Sequence, residues 1–222
     1  NTKDKKIYDF IENTILPKKK WHKKFEKIWN PGEKQAIEVL ENFMDQNISN
    51  YSKNRDIPSI FGTSKLSPHI AFGEITSETI YSYFNNIKNK NINHRKFINE
   101  IGWREFSYHL LNHFPQIEKQ NLRTQFDNFK WSNDQVKLEK WKKGETGYPI
   151  VDAGMKELYE TGWMHNRVRM ITSSFLVKHL RINWKEGESY FRDSLLDFNV
   201  GNNVCGWQWV SGCGADAAPY FR

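Results

Sequence analysis

Cysteine is nearly absent from this chain of 222 residues, and the two present, Cys205 and Cys213, have no His or Cys partner at metal-ligand spacing. That excludes a disulfide framework and a zinc site, so no metal is expected, and it suits a reducing compartment. No apolar stretch approaches the roughly 20 residues needed to cross a bilayer, and no signal peptide opens the chain. The sequence therefore reads as a soluble, cytoplasmic protein of bacterial type with no membrane partner. Strand-like alternation and Gly-rich hairpin signals are scarce, and no internal repeat occurs. Hydrolytic apparatus is missing too: no Ser-His-Asp set, Cys-His pair or carboxylate dyad stands out, and Gly62 to Pro68 lacks the spacing of a P-loop.

What is present is charge and aromatic surface. The formal net charge is +7, and aromatic residues make up 15% of the chain, nine of them Trp. A basic balance suits an anionic partner, with nucleic acid the commonest, although Lys18-Lys19-Lys20 and the Asn-rich stretch from Asn85 to Asn93 equally suit a solvated face. A chain of this length forms one large domain or two small ones and buries about 70% of its unfolded surface. It starts at Asn1 without Met and stops at Arg222 directly after an aromatic pair, which reads as a fragment cut at both ends.

Apolar spacing predicts an all-α fold. Residues 1–30 are Lys-rich and partly helical, and Pro31-Gly32 punctuates them. Glu33 to Gln46 follows as an amphipathic helix with Ala36, Val39, Leu40 and Phe43 on one face. Ile48 to Pro68 reads as an extended loop, and Phe72 to Ile87 and His94 to His113 as helices. Val136 to Lys143 forms a short helix ending at Gly144. Pro149 opens another that Gly162 breaks, and Met164 to Leu180 continues with Val168, Ile171 and Phe175 inward.

Four segments carry unusual chemistry for scaffold. In Gly62-Thr63-Ser64-Lys65-Leu66-Ser67-Pro68, the hydroxyls, amides and lysine suit either a phosphate or a helix cap. Glu100, Trp103, Arg104 and Ser107 fall on one helical stripe, where a Trp between charges suits stacking on a base. Trp163 to Met170 packs two arginines, an amide and a His into eight residues, as surface or as the lining of a polar cavity. Asp197 to Trp209 offers an acid for a buried arginine, amides at Asn199 and Asn203 for a heterocycle edge, and two indoles two residues apart.

Together these segments resemble the photolyase/cryptochrome family, and most nearly the class I cyclobutane pyrimidine dimer photolyases. The resemblance runs from about Tyr51 to Arg222, through Gly62 to Ser67, Trp103-Arg104-Glu105-Phe106, Thr146-Gly147-Tyr148-Pro149-Ile150-Val151-Asp152-Ala153, residues 162–170 and Trp207-Gln208-Trp209. It implies a helical FAD-binding and DNA-binding catalytic domain over residues 31–222. Residues 1–30 would then connect to an N-terminal antenna domain carrying a folate- or deazaflavin-type chromophore. Helices beyond Arg222 would complete the pocket, so that the fragment retains FAD weakly.

The resemblance further implies site residues. Tyr51, Thr63, Ser64, Lys65, Leu66, Ser67, Phe97 and Arg104 resemble contacts to the FAD diphosphate, ribose and pocket wall. Arg169 and Asp197 resemble the pair beside the isoalloxazine, joined by Phe198 and Asn199, and Asn203 the asparagine facing flavin N5. Glu100, Trp103, Met170 and Trp209 resemble the dimer pocket, and Arg55, Asn166 and Arg167 DNA contacts. Trp207, Trp184 and Trp131 resemble an electron relay from flavin to surface. Two positions depart: Lys65 stands where many relatives have Arg, and Asn199 where Asp is common, its side-chain oxygen still able to accept from flavin N3–H.

The implied function is light-driven repair of a pyrimidine dimer by electron transfer from excited reduced FAD, the lesion being flipped out of damaged DNA to reach a monomeric lyase. Met164-His165-Asn166-Arg167 lacks the His-His pair typical of (6-4) photolyases. The alternative is a cryptochrome-type photoreceptor that keeps FAD and the relay without repair. A basic nucleic-acid-binding module without flavin leaves the Asp197 to Asn203 pattern unexplained.

Overall fold

A computed structural model describes residues 5–7, 10–11 and 21–217. The Lys18-Lys19-Lys20 run, much of the connection expected over residues 1–30, and Pro219 to Arg222 lie outside the described residues. The chain divides into two units, Asn1–Asn30 and Pro31–Arg222. In the first, Trp21–Lys27 forms a 3-10 helix with Lys24 and Lys27 in its last turn.

The second unit is helical, and the parallel bridge between Ser132 and Ile182 is the one sheet-like pairing among the described residues. Its helices are α1 (Glu33–Gln46), α2 (Tyr51–Asn54), α3 (Ser67–Ala71), α4 (Ser77–Asn85), α5 (Ile92–His113), α6 (Gln135–Lys143), α7 (Pro149–Thr161), α8 (Asn166–Ser174), α9 (Trp184–Ser194) and α10 (Val200–Ser211). Side chains set most boundaries. Asp134 accepts from the Lys137 amide at 3.0 Å to open α6, and Gly144 closes it in the left-handed conformation that a side chain would strain. Pro149 supplies a preset φ at the start of α7.

Four expectations are corrected. The stretch from Ile48 to Pro68 is not all extended: Ile48–Asn50 makes a 3-10 turn leading into α2, because the buried Tyr51 ring meets Phe43 and Phe97 edge-on at 5.5 and 5.6 Å. The helix expected from Phe72 starts at Ser77 instead. Gly73 takes φ +74° to end α3, and Thr76 Oγ1 caps α4 by accepting from Thr79 N at 3.0 Å. The helix expected from Met164 begins at Asn166, since His165 Nδ1 accepts from Arg167 N at 3.2 Å as its cap. Its last turn, Phe175–His179, widens into a π-helix, and Ile171 is 37% exposed rather than inward.

Two cores result. One gathers Ala36, Leu40, Phe43, Ile48, Tyr51, Leu66, Ile80 and Phe97. The other gathers Trp141, Met155, Leu158, Leu176, Trp184, Phe191, Val204 and Trp207. Helix α5 serves both, placing Phe97 in the first and packing Leu110 and Leu111 against the second. A helix that changes buried face along its length shows no single apolar stripe. Glu100 to Ser107 therefore stand at the crossover. No helix among the described residues is long and apolar enough to cross a membrane.

Candidate functional site

The first cluster is a chain of ion pairs joining α2, α5 and α8. Arg55, only 8% exposed, donates through Nη1 to Glu100 Oε1 on α5. Its Nε lies 3.7 Å from Asp56, which accepts from Arg167 Nε at 2.8 Å and is ion-paired with Arg167 Nη2 at 2.7 Å. Arg167 Nη1 in turn donates to Met170 Sδ at 3.3 Å. Four of the residues expected at the dimer and DNA are thus brought together by pairs far apart in sequence. Asn166 opens α8 beside them on the surface. Trp103 projects from the same helix as Glu100, 54% exposed and braced edge-on by Phe106 at 5.6 Å. Arg55 is held inside, where it orients Glu100 rather than offering an open surface charge.

Arg104 and Asp197 each hold buried polar atoms without a hydrogen-bond partner. Arg104 is half-buried with its Cζ 5.8 Å from the Tyr108 ring, yet its Nε and Nη2 are buried without a hydrogen-bond partner. Arg169 Nη2 bonds Asp197 Oδ2 at 2.7 Å, while its Nε donates to the Met164 carbonyl at 2.7 Å. Asp197 Oδ1 is left buried and unpartnered. Buried polar atoms without partners are uncommon and costly in folded proteins, so these atoms call for partners that the described residues do not supply.

The loop Gly62 to Ser67 folds tightly. A Cβ at Gly62 would sit within 2.8 Å of Asn54. Lys65 takes φ +53°, and its ammonium lies 5.1 Å from the Phe61 ring and 5.0 Å from the Trp163 ring. Its charge rests on aromatic faces. Ser67 Oγ accepts from Trp163 Nε1 at 3.2 Å, and Ser64 Oγ accepts from Leu66 N at 3.4 Å. Thr63 is half-buried, and Leu66 is core at 1% exposure. The nearby Tyr51 phenol is pushed up to about 12, chiefly by burial.

Asn199 is engaged within the chain. Its Oδ1 accepts from Asn202 N at 3.0 Å and Asn202 Nδ2 at 2.7 Å, and its Nδ2 donates to Tyr108 Oη. Both oxygen lone pairs are committed to the start of α10, so the oxygen is not free for flavin N3–H as arranged. Asn203 Nδ2 donates to Glu188 Oε1 at 3.0 Å and to the Glu188 carbonyl at 3.2 Å. Phe198 carries the Arg192 guanidinium 5.1 Å from its ring.

Among the tryptophans, Trp207 and Trp184 are 2% and 1% exposed, whereas Trp131 and Trp209 are half-buried. Trp184 Nε1 donates to Asn121 Oδ1 at 2.8 Å, and Trp131 lies 4.5 Å from Phe129. The rings packed on Trp207 are Phe191 at 5.1 Å and Trp141 at 6.1 Å. Trp141, Phe191, Glu188 and Gln208 escaped the sequence reading. Glu188 had a signal, being an acid one turn from Trp184 on the inward face of α9, while nothing local sets Trp141 apart from other core residues.

Residues 97–222 match the family described as the FAD binding domain of DNA photolyase. The deoxyribodipyrimidine photo-lyase of Agrobacterium fabrum is 47% identical over 213 residues, 94% of this chain and 44% of that protein. The crystal structure of a bacterial class III photolyase from Agrobacterium tumefaciens superposes with a TM-score of 0.89 at 46% identity, covering 95% of this chain and 44% of that one. A cryptochrome from Synechocystis sp. PCC6803 gives 0.80 at 32%, covering 88% and 41%. The chain therefore spans less than half the length of these relatives, and the class I subclass expected from sequence finds no support in a class III neighbour. On the match over residues 97–222 and the 47% identity, the chain belongs to the photolyase FAD-binding domain family.

Proposed function

We propose that this domain binds FAD and serves light-driven repair of pyrimidine dimers in DNA. The observation that carries the reading is the Arg104 guanidinium with Nε and Nη2 buried and unpartnered. A guanidinium presents donors in a fork that matches phosphate oxygens, and leaving it dry without an acceptor costs several kcal/mol, roughly. The FAD diphosphate supplies such acceptors, and Asp197 Oδ1 offers an acceptor to a cofactor donor. The residues present therefore fit the group.

Bound and reduced, FAD would supply light absorption and the transferable electron. The protein's part is placement and electrostatics. Arg104 and the loop from Thr63 to Ser67 would hold the phosphates and ribose. The Arg169–Asp197 pair and Asn203 would orient the ring system. Glu100, steadied by Arg55, would hydrogen-bond the lesion edge, with Trp103, Trp209 and Met170 as walls for a flipped nucleotide. Trp207, Trp184 and Trp131 are proposed as the path by which the cofactor is recharged.

A second reading, the cryptochrome-type photoreceptor, draws on the Synechocystis cryptochrome at 32% identity. The assembly of Glu100, Arg55, Arg167 and Met170 in one network favours repair, since a sensor has no use for a lesion pocket. The test is irradiation of the FAD-loaded chain with a dimer-containing oligonucleotide. Light-dependent loss of dimers is expected. Flavin photoreduction without dimer loss would favour the photoreceptor, and failure to bind FAD even in a chain extended to the length of its relatives would overturn both.

A further inference from the structure

Glu188 and Arg192 stand one turn apart on α9, and no role above uses their charges. Glu188 is 6% exposed. Its Oε1 accepts from two donors at once, Arg192 Nη2 at 2.9 Å and Asn203 Nδ2 at 3.0 Å. Asn203 Nδ2 also donates to the Glu188 backbone carbonyl at 3.2 Å, so both hydrogens of its amide are spent on one residue. Its Oδ1 accepts from no group among the described residues.

We infer that Arg192 is a positioning residue for Asn203: by holding Glu188 as an ionised, acceptor-only partner, it fixes the Asn203 amide with nitrogen inward and oxygen free for the cofactor. The inference rests on the reading of Asn203 as cofactor-facing. An ionised carboxylate has no hydrogen to give, so only the nitrogen end of an amide can face it. Such a carboxylate, once buried, is tolerated only with a counter-charge, and Arg192 is that charge. Remove it and Glu188 Oε1 loses the guanidinium that fixes it against Asn203, so the longer bond to the backbone carbonyl is left as the amide's remaining lock.

Arg192 is itself held from two further directions. Glu118, on the turn Pro115–Glu118, approaches the same Nη2 at 3.3 Å, and the Phe198 ring lies 5.1 Å from the guanidinium. The two acids are unequal. The Glu118 side chain is 38% exposed and its pair is screened by water, whereas that of Glu188 is 8% exposed. A general surface ion pair would make either acid dispensable. Positioning of Asn203 makes only Glu188 matter.

The test has a cofactor-independent arm and a cofactor arm. Hydrogen exchange of the Asn203 side-chain amide is followed by NMR in the parent chain, Arg192→Met, Arg192→Lys and Glu118→Gln. Loss of a charge-assisted lock is expected to speed exchange at least about tenfold in Arg192→Met, with Arg192→Lys and Glu118→Gln within about threefold of the parent. If Arg192→Met does not fold, Arg192→Gln, which keeps a donor without the charge, carries the same expectation. Unchanged exchange in the neutral variant overturns the lock. In the FAD-loaded proteins, an oxygen free for the cofactor favours its protonated, reduced state. The midpoint potential should therefore turn more negative in Arg192→Met and stay near the parent in Arg192→Lys. Equal potentials throughout overturn the cofactor role. A chain that takes up no FAD even when extended to the length of its relatives overturns the proposed function, and the exchange arm still decides whether Arg192 orients Asn203.

Discussion

Gly187 shows how tightly the indole at Trp207 is set. A Cβ built on Gly187 would come within 2.6 Å of Trp207 Cζ2 and Cζ3 and closer still to Cη2. Carbon atoms rest at about 3.5–4.0 Å, so an alanine there requires the ring or the backbone to give by about 1.4 Å or more. The ring has nowhere to go. It is 2% exposed and walled by Phe191 and Trp141, and Trp141 is itself tied by Nε1 to the Thr172 carbonyl at 3.0 Å. Overpacking of this kind costs about 1–3 kcal/mol, and the rigid geometry places it near the upper end. Against this, alanine is favoured over glycine within a helix by about 1 kcal/mol. The net expectation for Gly187→Ala is a loss of about 1–2 kcal/mol, which lowers the Tm of a chain this size by roughly 2–8 °C. Thermal unfolding followed by far-ultraviolet circular dichroism reads it directly. Because Trp207 is the proposed flavin-side donor, the variant should also slow light-driven reduction of bound FAD. An alanine variant as stable as the parent would refute the claim that Trp207 is immobilised from this side.

His165 is held below the ordinary histidine range by burial and then by Arg167, and its Nδ1 accepts the cap bond of α8. The unfolded chain thus binds a proton that the folded one resists, and stability falls as pH drops through about 6.5. Urea midpoints at pH 7.5 and 5.5 should show a smaller drop in His165→Asn, which keeps a cap acceptor; His94, also lowered by burial, contributes the same sign in both proteins. Asp152 is opposed by burial, yet lies below the usual carboxylate range because Thr146 N, Thr146 Oγ1 and Gly147 N donate to it at 2.8, 2.6 and 2.9 Å. Its stabilisation is present above about pH 3.9 and is lost as the carboxyl protonates below that, so Asp152→Asn should flatten the acid limb of the stability curve measured between pH 5 and 2. Trp209→Ala should weaken binding of a dimer-containing oligonucleotide about tenfold or more while sparing flavin photoreduction, and Trp207→Phe should do the reverse. Equal defects in the two variants would undo the separation of roles.

The sequence carried those features that depend on local chemistry. Gly144 and Gly162 stop helices because they adopt φ +65° and +68°, and Pro149 starts one for an equally local reason. Ile171 was placed inward by periodicity and is exposed, because α8 is covered on less of its circumference than a full apolar stripe would require. Contacts between distant segments were beyond periodicity. Nothing local in Arg55 or Asp56 announces that they meet Glu100 and Arg167, positions 45 and 111 residues away. Asn199 illustrates a related limit of local reading: the sequence offers its amide to a ligand, whereas in the structure its own helix claims the oxygen.

The spacing of Trp207 and Trp209 has a physical explanation in the residue between them. Gln208 is 1% exposed, with Oε1 accepting from Leu122 N at 2.9 Å and Nε2 donating to the Ile117 and Gln120 carbonyls, both at 2.8 Å. This amide turns one direction of α10 toward the segment from Ile117 to Leu122 and holds it there. Neighbouring residues in a helix diverge by about 100°, so the indoles before and after Gln208 are thrown to opposite flanks of that fixed direction. One lands in the core beside Phe191 and Trp141, and the other stays half-buried. The buried amide thus sets one indole in a dry, immobile place and leaves the other half-buried within a single turn of helix, which is the difference that the proposed roles of electron donor and stacking wall require.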